Sequence, residues 1–157
     1  MMDSSHVFLK EPLNLPSYDV RIKELEGRLN IFDPLRKKFL VLTPEEWVRQ
    51  HMINYLVSYK FYPRSLFSLE KGIKYNQLLK RFDILILDRN GSPFLLVECK
   101  APEVPLTQKT AEQIAVYNKT VGAQYLALTN GRQHICLHND PESGTYRQFR
   151  DFPEYQN

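Results

Sequence analysis

Asp83, Glu98 and Lys100 are the residues whose types and spacing could do chemistry. They stand at the two ends of RFDILILDRNGSPFLLVECK, residues 81–100, where ILIL and FLLV flank an Asn90-Gly91 pair. Asn-Gly tolerates positive φ at both positions and predicts a β-hairpin with a two-residue loop. Such a loop sets Arg89 opposite Ser92, Asp83 opposite Glu98 and Arg81 opposite Lys100. Side chains alternate along a strand, so Arg81 shares a face with Asp83, and Glu98 with Lys100. Directly opposed side chains have Cβ atoms roughly 5 Å apart, and like charges there repel. Two facing carboxylates between apolar runs call for a cation, and a hard divalent ion with oxygen ligands is the natural one. Any D…ExK match also has a plainer reading as solvated strand ends. The apolar flanks count against that reading, because unpaired charges are rarely buried.

Other elements must position these groups. Thr43-Pro44-Glu45-Glu46 opens a helix that runs to about Tyr59, with Val48, Met52, Ile53 and Leu56 at helical spacing. Thr43 is the N-cap, Pro44 suits N1, and Glu46 at N3 completes a capping box. Glu45 lies on the stripe with Val48, Arg49 and Met52, and capping does not explain it. Upstream, residues 1–28 carry two prolines and read as an N-terminal arm or loop, with a short strand at Val7 to Leu9. Residues 29–157 read as a single domain. It opens with LNIFDPLRKKFLVLT, a hairpin bent at Asp33-Pro34 with Arg36, Lys37 and Lys38 at the bend. SLFSLEKGI predicts a strand, and Lys71, Lys74, Lys80 and Arg81 crowd the connection that follows. These cations read either as an electropositive approach for a phosphate backbone, with Lys80 and Arg81 nearest the carboxylates, or as a solvated loop. Past Lys100, APEVPL must turn, and Thr107 or Thr110 caps a second helix through about Thr120. Gln113 and Tyr117 are four apart, hence on one helical face. AQYLALTN reads as a buried strand, TNG as a turn and QHICLHND as the last strand, with TYRQFRDF adding a strand or lying over the core. This order predicts an α/β sandwich: a mixed central β-sheet with helices on its faces.

Composition bounds the function classes. At 157 residues, 43% hydrophobic and 25% charged, the chain suits one globular domain with a real core. No apolar run approaches the ~20 residues of a membrane span. MMDSSHVFLKEP lacks a basic region followed by an apolar core, so no secretory signal is expected. Cys99 and Cys136 lack CxxC spacing, which predicts a reduced, cytoplasmic chain. A net charge of +3 is too mild to argue nucleic-acid binding by itself. His51, His134 and His138 show no metal-binding spacing.

Asp83 followed by Glu98-Cys99-Lys100 on the next strand resembles the PD-(D/E)XK nuclease signature, with Phe82 in place of its proline. Gln113-Ile-Ala-Val-Tyr117 resembles the Q-x-x-x-Y motif that follows the ExK strand in the N-terminal nuclease domain of type I restriction enzyme motor subunits. ECKAPEVPLTQ and LALTNGRQ are similar to that family too, and the likeness covers roughly residues 29–139. The resemblance implies a restriction-endonuclease-like fold and a Mg2+- or Mn2+-dependent nuclease acting on nucleic acid, DNA by analogy. It implies metal ligands in Asp83, Glu98 and the carbonyl of Cys99, with Lys100 acting on the water or the phosphate. Gln113 would place Lys100 or the DNA, and Tyr117 would support that helix or touch the backbone. A glutamate on the first helix of related nucleases reaches toward the metal; with its E-x-x-x-R setting, Glu45 is the match here. No G-x-x-x-x-G-K-[ST] is present, so no motor domain is expected, and a partner subunit would supply motor function or specificity. A homodimer stays open. The alternative is a catalytically silent nuclease-fold module that binds nucleic acid or a protein.

Overall fold

The structure is a computed structural model that describes residues 4–68, 72–75, 78–81 and 83–155, with the backbone alone at 4–5, 72–75 and 78–81. Ile22–Leu25 (β1), Arg28–Asp33 (β2) and Lys38–Val41 (β3) form an antiparallel sheet in that order. Among the described residues, the expected arm or loop over residues 1–28 is irregular only at residues 11–21. Before them Ser4–Lys10 is a 3-10 helix, where a strand at Val7 to Leu9 was expected. After them comes β1, paired with β2. The strand escaped notice because all four of its residues are exposed, so it has no apolar face to show.

Helix α1 is Pro44–Ser58. The Thr43 hydroxyl accepts the Glu46 N–H at 3.0 Å, while the Glu46 carboxylate turns to Arg49 and Gln50 instead of closing the capping box. SLFSLEKGI is not one strand: Arg64–Leu66 is a 3-10 turn, and Phe67 makes only an isolated bridge to Ile86. Gly72–Tyr75 (β4) and Leu78–Arg81 (β5) then pair antiparallel as a separate two-stranded sheet.

Ile84–Leu87 (β6), Pro93–Cys99 (β7), Tyr125–Thr129 (β8), His134–Asn139 (β9) and Tyr146–Phe149 (β10) build the central sheet, in the order β10-β9-β8-β7-β6. Only β7 and β8 pair in parallel, and Gln108–Val121 (α2) is the crossover that a parallel pair requires. Thr107 caps α2, and Gly122 closes it in the left-handed region at φ 77°. TYRQFRDF does add the edge strand β10, with Phe152 buried beyond it.

Both faces of the sheet are covered, which is why its strands read as continuous apolar runs. Val48, Met52, Ile53 and Leu56 of α1 join Ile84, Ile86, Leu95 and Val97 in one core. Ile114 and Tyr117 of α2 join Leu85, Leu96, Leu126 and Leu128 in the other. The result is the expected α/β sandwich, a mixed sheet between helices, consistent with a restriction-endonuclease-like fold. No helix among the described residues is long and apolar enough to cross a membrane.

Candidate active site

The register between β6 and β7 sets the site. Ile84 pairs with Val97, Leu85 with Leu96 and Ile86 with Leu95, which carries Asp83 to Glu98. The turn that produces this register is not the two-residue loop expected. Asp88 N–H bonds the Ser92 carbonyl, and Asp88 Oδ1 accepts the N–H groups of Asn90 and Ser92, leaving three residues in the loop. Only Gly91 takes positive φ there, at 82°. A register shift between Ile86 and Leu87 then restores the alignment, because Leu87 faces Pro93 and Phe94 is the extra residue. One added loop residue and one bulge cancel.

The Asp83 and Glu98 carboxyl groups face each other across this strand pair, close enough for the Glu98 charge to act on Asp83. Asp83 Oδ2 also accepts the Cys99 N–H at 2.8 Å. Burial, and then the Glu98 charge, push the Asp83 carboxyl up to about 7 against the pull of that N–H. Asp83 therefore stays partly protonated close to neutral pH. Lys100 Nζ lies 3.5 Å from Glu98 Oε1, and both side chains are half-buried. The Lys100 N–H bonds the Thr129 carbonyl at 2.8 Å, fixing the end of β7 against β8. The Cys99 side chain packs in the α1-facing core, away from the carboxylates, as strand alternation requires.

Helix α2 closes the other side. A cavity of about 80 Å³ is lined by Glu98, Lys100, Gln113 and Tyr117, with Ile114 and Leu128 as apolar wall. Tyr117 is buried, and burial followed by the Glu98 and Asp83 charges pushes its hydroxyl up to about 12. Gln113 sits one turn earlier and is exposed. The two therefore reach one space with Glu98 and Lys100.

Glu45 is exposed on the first turn of α1, and the structure does not bring it to this cluster. Its neighbour Glu46 turns inward. Arg49, 7% exposed, joins three elements there: Nη1 donates to Glu46 Oε2 at 2.9 Å and to Asp33 Oδ2 at 3.2 Å, and Nε donates to the Asp83 carbonyl at 2.7 Å. Burial raises the Asp33 carboxyl, but the N–H groups of Arg36 and Leu35 and the Arg49 charge outweigh it, so it stays below the ordinary range. Sequence reading missed this network. The available signal was Arg49 itself, a charge on the apolar stripe with Glu46 three residues before it. Lys80 and Arg81 fall on β5, and their side chains lie outside the described residues. Among the described residues no group of three or more His, Cys, Asp or Glu is set to hold a metal.

Residues 44–153 match the family model described as type I restriction enzyme R protein N terminus. The chain belongs to that family. The match begins with α1 and takes in Asp83, Glu98, Lys100, Gln113 and Tyr117. β1 to β3, and Asp33 with them, precede it. No curated protein matches the chain. Membership in the R protein N-terminal family supports a nuclease-related role.

Proposed function

We propose that this domain is a metal-dependent nuclease that hydrolyses phosphodiester bonds of DNA in the cytoplasm, within a restriction-modification system whose partner subunits supply specificity and translocation. The observation that carries the reading is the Asp83–Glu98 pair, two facing carboxyl groups with Lys100 Nζ 3.5 Å from Glu98 Oε1. That donor set suits Mg2+ or Mn2+: all oxygen, with charge repulsion that a cation relieves better than a proton does. Asp83 and Glu98 would hold the ion, with the Cys99 carbonyl as a further oxygen. Its chemistry, when bound, is to lower the pKa of a water and offset charge on the phosphate. On α1, Glu46 is the acid whose inward turn favours a supporting role, while Glu45 has no such orientation.

The remaining steps belong to the protein's own groups. Lys100 Nζ orients the attacking water or binds a phosphate oxygen. Gln113 and Tyr117 hold α2 over that space and shelter it from bulk water. Arg49 fixes the backbone at Asp83, so the carboxylate does not drift from Glu98. Cleavage of mixed single- and double-stranded DNA and RNA, with Mg2+ or with EDTA, tests the proposal. DNA cleavage that needs the metal is expected. Binding of nucleic acid without cleavage under any metal would instead favour a silent module.

A further inference from the structure

A cavity of about 250 Å³ opens between the later turns of α1, the β2–β3 turn and the segment at 18–21. Gln50 and Tyr18 line it, and each ends in a buried atom that finds no hydrogen-bond partner among the described residues: Gln50 Oε1 and Tyr18 Oη. Gln50 is only 1% exposed. Its orientation is fixed, because Nε2 donates to Glu46 Oε2 at 2.8 Å and a carboxylate accepts only from the nitrogen end. The oxygen is therefore an acceptor with nothing to accept. Burial, then the Glu46 and Asp33 charges, hold the Tyr18 hydroxyl protonated far above neutral pH, so it remains a donor. A native fold rarely leaves such atoms unpaired unless something else pairs them. Ile53 and Val57 give the cavity apolar walls, and the exposed Arg21 and Arg64 stand on its lining.

We propose that this cavity binds a nucleotide, with an amino-bearing base on Gln50 Oε1 and Tyr18 Oη and the phosphate on Arg21 and Arg64. Adenine and cytosine each present a ring acceptor beside an amino donor, which complements the hydroxyl and the amide oxygen. The apolar walls suit the faces of a flat ring, and two guanidinium groups suit a phosphate. Tyr18 and Arg21 precede the family match while Gln50, Ile53, Val57 and Arg64 fall within it, so the site joins the N-terminal segment to α1 and the residues that follow it. The nucleotide is either free or an unpaired residue of a strand, and the two sources share this chemistry.

Calorimetric titration of the full chain in EDTA tests the proposal, with AMP, CMP, purine riboside monophosphate (which lacks the amino group) and a short single-stranded oligonucleotide as probes. Saturable binding of AMP or CMP is expected, weakened at least about tenfold by loss of the amino group and by Tyr18→Phe. That variant removes one oxygen and keeps the ring that packs edge-on against His51 at 5.0 Å. Arg64→Ala should weaken AMP but not adenosine, and Asp83→Asn should leave AMP binding unchanged. Binding of the oligonucleotide alone, with the same loss in Tyr18→Phe, assigns the source to a strand. No saturable binding of any probe, or binding that ignores Tyr18→Phe, overturns the site.

Discussion

Asp83 keeps its proton at pH values where an ordinary aspartate, near 3.9, has lost it. Its folded value is raised to about 7, so the stability it contributes is complete below about pH 4 and is lost as pH rises through about 7. In EDTA the melting temperature should fall between pH 5 and 8, by an amount equivalent to on the order of 2–4 kcal/mol. Asp83→Asn should flatten that slope, since the amide keeps a hydrogen bond and carries no charge. Melts of both proteins by circular dichroism read this directly, and a flat parent profile would count against a raised Asp83 carboxyl. Metal binding must displace that proton, so Mn2+ affinity should rise by up to about tenfold per pH unit below 7. Calorimetry in two buffers of different ionisation heat checks the proton release.

At the scale of elements, Arg49 ties α1 to β2 and to the start of β6. Arg49→Met leaves Asp33, 0% exposed, without its nearer guanidinium and with only Arg36 at 3.6 Å, a change that should cost up to about 3–5 kcal/mol in urea unfolding. Asp33→Asn in the same background should recover part of the loss, because it removes a buried charge that has lost its closer partner. Arg49→Lys should keep more stability yet weaken metal binding, since lysine cannot span Asp33, Glu46 and the Asp83 carbonyl at once. The sequence carried the helices plainly. Thr43 and Thr107 cap them, and their apolar stripes face the sheet. It carried the Asp83–Glu98 alignment too, though through a two-residue turn that does not form. Asp88 captures two backbone N–H groups and widens the loop, and a bulge at Phe94 takes up the extra residue. Asx capture and bulges leave no periodic trace, so such a compensation is invisible to pattern reading. Glu46 was hidden because capping already accounted for it, and the second partner of Arg49, Asp33, stands sixteen positions away in the chain.

Across the whole molecule, the adjoining ends of β6 and β7 hold Asp83, Glu98 and Lys100, and α2 brings Gln113 and Tyr117 to the cavity that Glu98 and Lys100 line, so metal binding should stabilise the fold as a unit. Mg2+ at about a hundred times its dissociation constant should add about 2.7 kcal/mol, seen as a rise in melting temperature at pH 8. Asp83→Asn should abolish the rise. The most direct test of the account is cleavage of plasmid DNA by the parent, Lys100→Ala and Asp83→Ala, each also titrated calorimetrically with Mn2+. Lys100 is assigned to the water or the phosphate and not to the ion. Lys100→Ala should therefore lose cleavage by roughly a hundredfold or more while its metal affinity stays within a few-fold. Asp83→Ala should lose both. Lys100→Ala that cleaves as fast as the parent would contradict the assignment of Asp83, Glu98 and Lys100 as a nuclease site.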